Sequence, residues 1–211
     1  MNRFILAITV LACLILVSSI QAQVTVGLRG GYAFTGGKLS KTQAALSDFV
    51  SGQIPITIEA GYRVLGRLIV GGYAEIGPTL LNSSFKNQGD SGSDVGRLTA
   101  GVQALWNFMP QAVLQPWAGL GAGWDMMDIT EDRGSAFPFR TYKYRGLEFA
   151  RIQTGINYRV TGKLSIGPAI AIGIGRYSSG TVEELHNETK LSIDPAVHEW
   201  VSFALRVSFV F

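Results

Sequence analysis

Between residues 200 and 211 the chain alternates. Val201, Phe203, Leu205, Val207, Phe209 and Phe211 are large and apolar, with Ser202, Ala204, Arg206 and Ser208 between them. A period of two sends successive side chains to opposite faces of a β-strand, so one face here seeks apolar surroundings and the other tolerates polar ones. The same pattern recurs upstream. Residues 24–34 set Val24, Val26, Leu28, Tyr32 and Phe34 against Thr25, Gly27, Arg29 and Gly31. Residues 53–64 set Ile54, Ile56, Ile58, Ala60, Tyr62 and Val64 against Gln53, Thr57, Glu59 and Arg63. Further strands are predicted at 68–80, 95–108, 114–126, 150–160 and 164–177, with Tyr73, Glu75, Arg97, Asp125 and Arg151 on their polar faces.

These eight segments are joined by short turns at 65–67, 109–113 and 161–163, and by long polar loops at 35–51, 82–94, 127–146 and 178–197. Short and long connections alternate without exception. That plan predicts an all-β fold, an eight-stranded antiparallel up-and-down barrel with both ends of the chain on the short-turn side. Pro168 falls inside the seventh strand, and a closed barrel has no free edge for a residue without an N–H, so a bulge is expected there. Pro55, Pro78 and Pro116 lie nearer strand ends.

Composition narrows the setting. Asn2 and Arg3, an apolar run over 4–17 and Ile20-Gln21-Ala22 predict a signal peptide over 1–22, cleaved to leave a barrel domain over 23–211. Cys13 is the only cysteine. It follows Val10-Leu11-Ala12, which loosely resembles a lipoprotein cleavage box, but it sits within the apolar run rather than after it. The mature chain therefore forms no disulfide. Lys plus Arg number 18 against 15 for Asp plus Glu, a balance that does not point to nucleic acid. Mean hydropathy is +0.24, yet beyond the first residues no apolar run reaches helical-span length. A transmembrane β-barrel explains both facts, because lumen-facing residues dilute the apolar ones. A water-soluble barrel of the lipocalin type would carry the same alternation with its faces exchanged. The polar set argues against it, being rich in Gly, Ala, Ser and Thr and poor in lysine. Aromatics on the apolar faces also cluster at strand ends, as membrane-interface girdles do. Tyr62, Trp106, Phe108, Tyr158, Phe209 and Phe211 lie toward the turns, and Tyr32, Phe34 and Trp124 toward the loops.

A last strand of alternating hydrophobics with Phe209 and a final Phe211 resembles the assembly signal of bacterial outer-membrane barrels. The whole of 23–211 is similar to the small OmpA/OmpX-type barrels. The resemblance implies a Gram-negative outer membrane, periplasmic N- and C-termini, and a monomer surrounded by outer-membrane lipid and lipopolysaccharide. It also implies handling by periplasmic chaperones and the barrel-assembly machinery. It brings no cofactor, no metal and no catalytic residue.

An eight-stranded barrel is narrow enough for side chains to fill. Counted from the turns, Arg29, Glu59, Glu75 and Arg206 share one depth, and Arg97, Asp125 and Arg151 a higher one. Two ionic layers plugging the lumen are expected, since alternating Arg and carboxylate can satisfy one another. The alternative is a narrow pore for ions or small solutes, anion-preferring because arginine is in excess. Gly119, Gly121 and Gly123 leave room either for a large opposing side chain such as Tyr73 or Trp200, or for a small water channel. In the third loop, Arg140, Lys143 and Arg145 alternate with tyrosines, either as a protruding hairpin or as a contact for lipopolysaccharide phosphates. Asp128, Glu131 and Asp132 lack the spacing of a cation site. Catalysis is poorly served. The histidines are His186 and His198, no histidine precedes Gly89-Asp90-Ser91-Gly92, and His198 runs into Glu199 and Trp200. A closed structural or surface-interaction barrel is expected first, a small channel second and a lipid-modifying enzyme last.

Overall fold

The computed structural model describes residues 23–40, 45–82, 94–131, 140–184 and 187–211. The signal segment with Cys13, the 89–92 motif, Asp132 and His186 lie outside them. In chain order the elements are β1 (Gln23–Gly37), α1 (Leu46–Phe49), β2 (Val50–Gln53), β3 (Ile56–Val64), β4 (Leu68–Leu81), β5 (Asp94–Asn107) and β6 (Leu114–Glu131). They continue with β7 (Arg140–Arg159), β8 (Leu164–Glu184), β9 (Asn187–Leu191) and β10 (Val197–Val210).

Each strand pairs antiparallel with its neighbour, and the sheet closes on itself. β10 runs beside β1 from Thr25↔Val210 to Gly37↔His198, and beside β8 from Val197↔Arg176 to Phe209↔Leu164. With β2 and β3 forming a single stave, the ring has eight. The two faces of every strand part as the alternation demands. Ile58, Val102 and Trp124 are 58%, 68% and 64% exposed on the outside, whereas Arg29, Glu59 and Asp125 are buried inside. A water-soluble barrel would have these faces reversed. The end-of-strand aromatics Tyr62, Trp106, Phe108, Tyr158, Phe34 and Trp124 all stand on the exposed side.

The prolines behave differently from expectation. The second strand, expected unbroken over 53–64, is divided at residues 54–55. Pro55 has no N–H to give the ladder, and stray bonds bridge the gap: Gly31 N donates to the Pro55 carbonyl (3.3 Å) and Ile54 N to that of Pro78 (3.0 Å). Pro168 produces no bulge. Its strand keeps one register from Tyr158↔Ile166 to Gly155↔Ala169, and Leu205 pairs with Pro168 on the other side. The shifts in β7 lie elsewhere, at Arg145/Gly146 and at Glu148/Ala150.

Two of the long loops are largely strand. β6, β7 and β8 run on to Glu131↔Arg140 and Arg140↔Glu184, and β9 adds to the end of β8, making a ribbon beyond the barrel. Leu39 and Leu46 from the first long loop fold over the loop-side mouth. There they pack with Val95, Met127, Tyr144, Tyr177 and Trp200 in a buried hydrophobic cluster.

Candidate functional site: the lumen charge network

Arg29, Glu59, Glu75, Arg97, Asp125, Arg151 and Arg206 all point into the lumen, each 4% exposed or less. Nearer the turns, Glu59 on β3 accepts from Arg206 on β10 through Nε (3.1 Å) and Nη2 (3.2 Å). Its other neighbour is Arg29 Nε on β1, at 2.9 Å. A carboxamide chain ties this group across the barrel. Gln103 donates to Glu59 (2.9 Å), Gln153 donates to Gln103 (2.8 Å), and Arg29 Nη1 donates to Gln153 (2.7 Å).

The group toward the loops is centred on Arg97 of β5. Its Nε and Nη2 fork onto the two carboxylate oxygens of Asp125 (2.9 and 3.2 Å), and Nη1 donates to Glu75 (3.0 Å). The same guanidinium lies 4.5 Å over the Trp200 ring and 3.5 Å from Glu148. Arg151 of β7 bonds the second oxygen of Glu75, stacks 4.6 Å over Tyr73 and lies 3.5 Å from Glu148. Thr57 donates to Glu75 (2.9 Å), Thr99 to Asp125 (3.0 Å) and the Tyr73 hydroxyl to Glu148 (2.7 Å). His198, stacked on Tyr177 at 4.2 Å, completes the group through Nε2 against Asp125 at 2.9 Å.

Two points differ from the sequence reading. Glu75 belongs with Arg97 and Arg151, not with Arg29, Glu59 and Arg206. Depth counted along single strands ignores the stagger between staves. The register Thr57↔Glu75↔Thr99↔Asp125 puts Glu75 level with the upper group, while Glu59 pairs with Tyr73 below it. The second point is Glu148, which the sequence reading leaves out. The shift between Glu148 and Ala150 inserts a residue, so Glu148 and Arg151, three apart, both face inward, and Phe149 is 52% exposed on the outside. Its sequence mark is the change of apolar parity from Leu147 and Phe149 to Ala150 and Ile152.

Glu148 alters the charge count. Arg29, Arg97, Arg151 and Arg206 now face Glu59, Glu75, Asp125 and Glu148, four cations against four anions. Within this buried set the arginine excess that favoured anions is gone; Arg63, partly buried, lies nearer the turns, outside it. Small cavities lie between the side chains. One cavity touches Arg29, Thr57, Glu75, Arg151 and Ser202, and another Arg63, Asn107, Gln115, Trp117, Asn157 and Arg206. Each is about 10 Å³, roughly one water. The three glycines of β6 make room chiefly for the neighbouring strand. A Cβ on Gly119 would run into the Leu105 side chain, one on Gly121 would stand 2.9 Å from the Val102 carbonyl, and one on Gly123 would run into that of Ala100. The Tyr73 ring lies at ordinary contact distance, 3.5 Å, from the Gly121 position.

No family model matches the chain, and no curated protein does. Solved structures do match. The chain is similar over 90% of its length to all of a major outer membrane protein from Thermus thermophilus, with TM-score 0.56 and 12% identity. Over 89% it is similar to 95% of the outer membrane protein OprG from Pseudomonas aeruginosa (TM-score 0.51, 13% identity). Over 90% it is similar to 99% of Neisserial surface protein A (TM-score 0.50, 17% identity). The fold is that of the small outer-membrane β-barrels.

In this fold the exposed apolar belt is on the outside of the barrel and the charges face one another within it. The remaining candidates lie at its ends. Arg140 pairs with Glu184 (2.6 Å), Lys143 with Glu183 (2.6 Å) and Arg145 with Asp128 (2.5 Å), all on the ribbon. Hydrogen bonding to Glu183 holds the Lys143 ammonium above its ordinary pKa, and bonds to Tyr142 and then Glu184 do the same for Arg140. A phosphate would have to displace these carboxylates. At the opposite end, Phe209 and Phe211 stack edge to face at 4.7 Å, and Phe211 is 65% exposed.

Proposed function

We propose that the protein is a closed outer-membrane barrel with a structural or surface-interaction role, acting through the ribbon and loops rather than through its lumen. The observation that carries this reading is the neutral network of four arginines and four carboxylates across the barrel, under an apolar cap of Leu39 and Leu46. Moving an ion through it would mean breaking buried charge pairs whose members cannot rehydrate. The reading is of a non-enzyme. His198 and Asp125, the pair closest to a catalytic constellation, are each 1% exposed beneath Tyr177 and the capping residues, out of reach of a substrate.

The rest of the proposal follows the same fold. Residues 1–22 are removed on export, and 23–211 close a barrel that is monomeric within its own Gram-negative outer membrane, with periplasmic termini. Phe209 and Phe211 are read by the assembly machinery and its chaperones. Lipopolysaccharide surrounds the ribbon, and its phosphates reach Arg140, Lys143 and Arg145 by exchange with their carboxylates. The test is electrical. Refolded protein in a planar lipid bilayer gives no steady single-channel current at moderate salt. A stable, voltage-independent open level would overturn the closed-barrel reading.

A further inference from the structure

β9 is the last strand of the sheet. One of its edges pairs with β8, from Gly180↔Leu191 to Glu184↔Asn187, and among the described residues no strand lies along the other. Residues 187–190 are exposed. The strand contains no proline and its pairing no bulge, and what guards its edge is its short length and the charges of Glu188 and Lys190, which a partner strand has to answer. A row of free N–H and C=O groups of this kind is a template for one more strand.

The side chains say which strand fits. β9 reads Asn-Glu-Thr-Lys-Leu, with Glu188 and Lys190 on one face to either side of Thr189. Within the chain Glu188 stands opposite Glu183, a like-charge pair across a ladder, and Lys190 stands opposite Thr181. The Glu183 carboxylate already takes the ammonium of Lys143, which also lies within the field of Glu188. A copy of β9 laid antiparallel and centred on Thr189 supplies what is missing. Glu188 of each copy then faces Lys190 of the other, twice over, and Thr189 faces Thr189.

We propose that two copies of this chain join edge to edge through β9, antiparallel and in register at Thr189. The two-fold axis of such a pair runs perpendicular to the ribbon, so the barrels point in opposite directions. The contact therefore links copies in two facing membranes, not neighbours in one. β8 carries the ribbon some eight residues beyond Arg176, about 20 Å above the barrel for a tilted strand, which lifts β9 clear of its own bilayer. One five-residue contact is weak, but many copies on each surface add up. The facing-membrane consequence rests on the proposed orientation of the loop end; the strand pairing does not.

The full chain carrying Cys13→Ala and Thr189→Cys, folded in detergent and oxidised, tests the pairing. Directly opposed residues have Cα atoms about 5 Å apart, within disulfide reach, so a cross-linked dimer is expected. Asn187→Cys in the same background is the control, because its symmetry mate lies about 14 Å away. Charge reversal at Glu188→Lys or Lys190→Glu alone slows the cross-link several-fold, and the double exchange restores it. Equal rates for the two cysteine variants, or a double exchange no better than the singles, would overturn the proposal. Vesicles bearing the wild-type chain cluster, and Thr189→Pro disperses them. Cross-linking in detergent without vesicle clustering would overturn the orientation and leave the strand pairing standing.

Discussion

Arg97→Met is the sharpest probe of the lumen. Methionine keeps most of the unbranched stem and removes the guanidinium. Asp125 loses its bidentate partner and is left with Thr99, Tyr177 and His198. Glu75 keeps Arg151 and Thr57, and Glu148 keeps Arg151 and Tyr73. The buried network goes from four charges of each sign to three cations against four anions. Breaking one side of a buried ion pair typically costs about 3–5 kcal/mol, because the abandoned charge has no water to return to. With a urea slope of about 2 kcal/mol per molar, a loss of about 4 kcal/mol moves the unfolding midpoint down by about 2 M. The measurement is equilibrium urea unfolding in lipid vesicles, followed by tryptophan fluorescence, since Trp117 and Trp200 are buried in the lumen. Asp125→Asn alone also destabilises. The double variant restores neutrality and loses less than the sum, by a coupling of about 1–3 kcal/mol. A midpoint shift below about 0.5 M for Arg97→Met, or strict additivity in the double variant, would refute the claim that these charges act as one network.

Gly101→Ala destabilises by about 1–3 kcal/mol. Its Cβ would run into the Ala122 carbonyl and stand 2.8 Å from the Tyr73 hydroxyl, whereas Gly30→Ala, with nothing within 4 Å, leaves the unfolding midpoint in place. Phe211→Ala separates assembly from stability. The ring is mostly exposed, so the refolded barrel keeps its urea midpoint, while the yield of folded protein in the outer membrane of expressing cells falls.

The fold is legible because lipid enforces alternation. Residues 200–211 can be read as a strand, with its faces assigned, only because a slipped residue would carry Arg206 into hydrocarbon. Above the membrane that pressure ends. Residues 140–145 and 187–191 are strand, yet water on both faces removes the hydropathy signal and leaves only the Thr and Tyr of their composition. Glu148 is hidden for a different reason. Parity carried backward from Ala150 fails there, because a single extra residue inverts everything beyond it. Alternation puts Glu75 on the right face but at the wrong depth, because stagger is a property of the closed ring and not of any one strand. Pro168 does not bulge, since a ladder can forgo a hydrogen bond without changing register.

Charge filling also bears on why these strands settle in one register. A purely apolar lumen would leave little to choose between a correct stave and one slipped by two residues, since both keep the same face inward. The ionic plug removes that degeneracy. Arg97 lies two residues to the loop side of Thr99, the residue level with its partners Glu75 and Asp125. Slipping β5 by two toward the loops would carry Arg97 away from both, and slipping it by two toward the turns would put Arg97 where Thr99 now bonds Asp125. Slipping it by one is worse, because it turns Arg97 toward lipid, at about 2–4 kcal/mol near the midplane before any lost pairing is counted. The same holds for Glu59 on β3 between Arg29 and Arg206, whose staves β1 and β10 are the ones that close the ring. The lumen charges, costly to bury singly, thus weigh against any closure of this barrel that parts them from their partners.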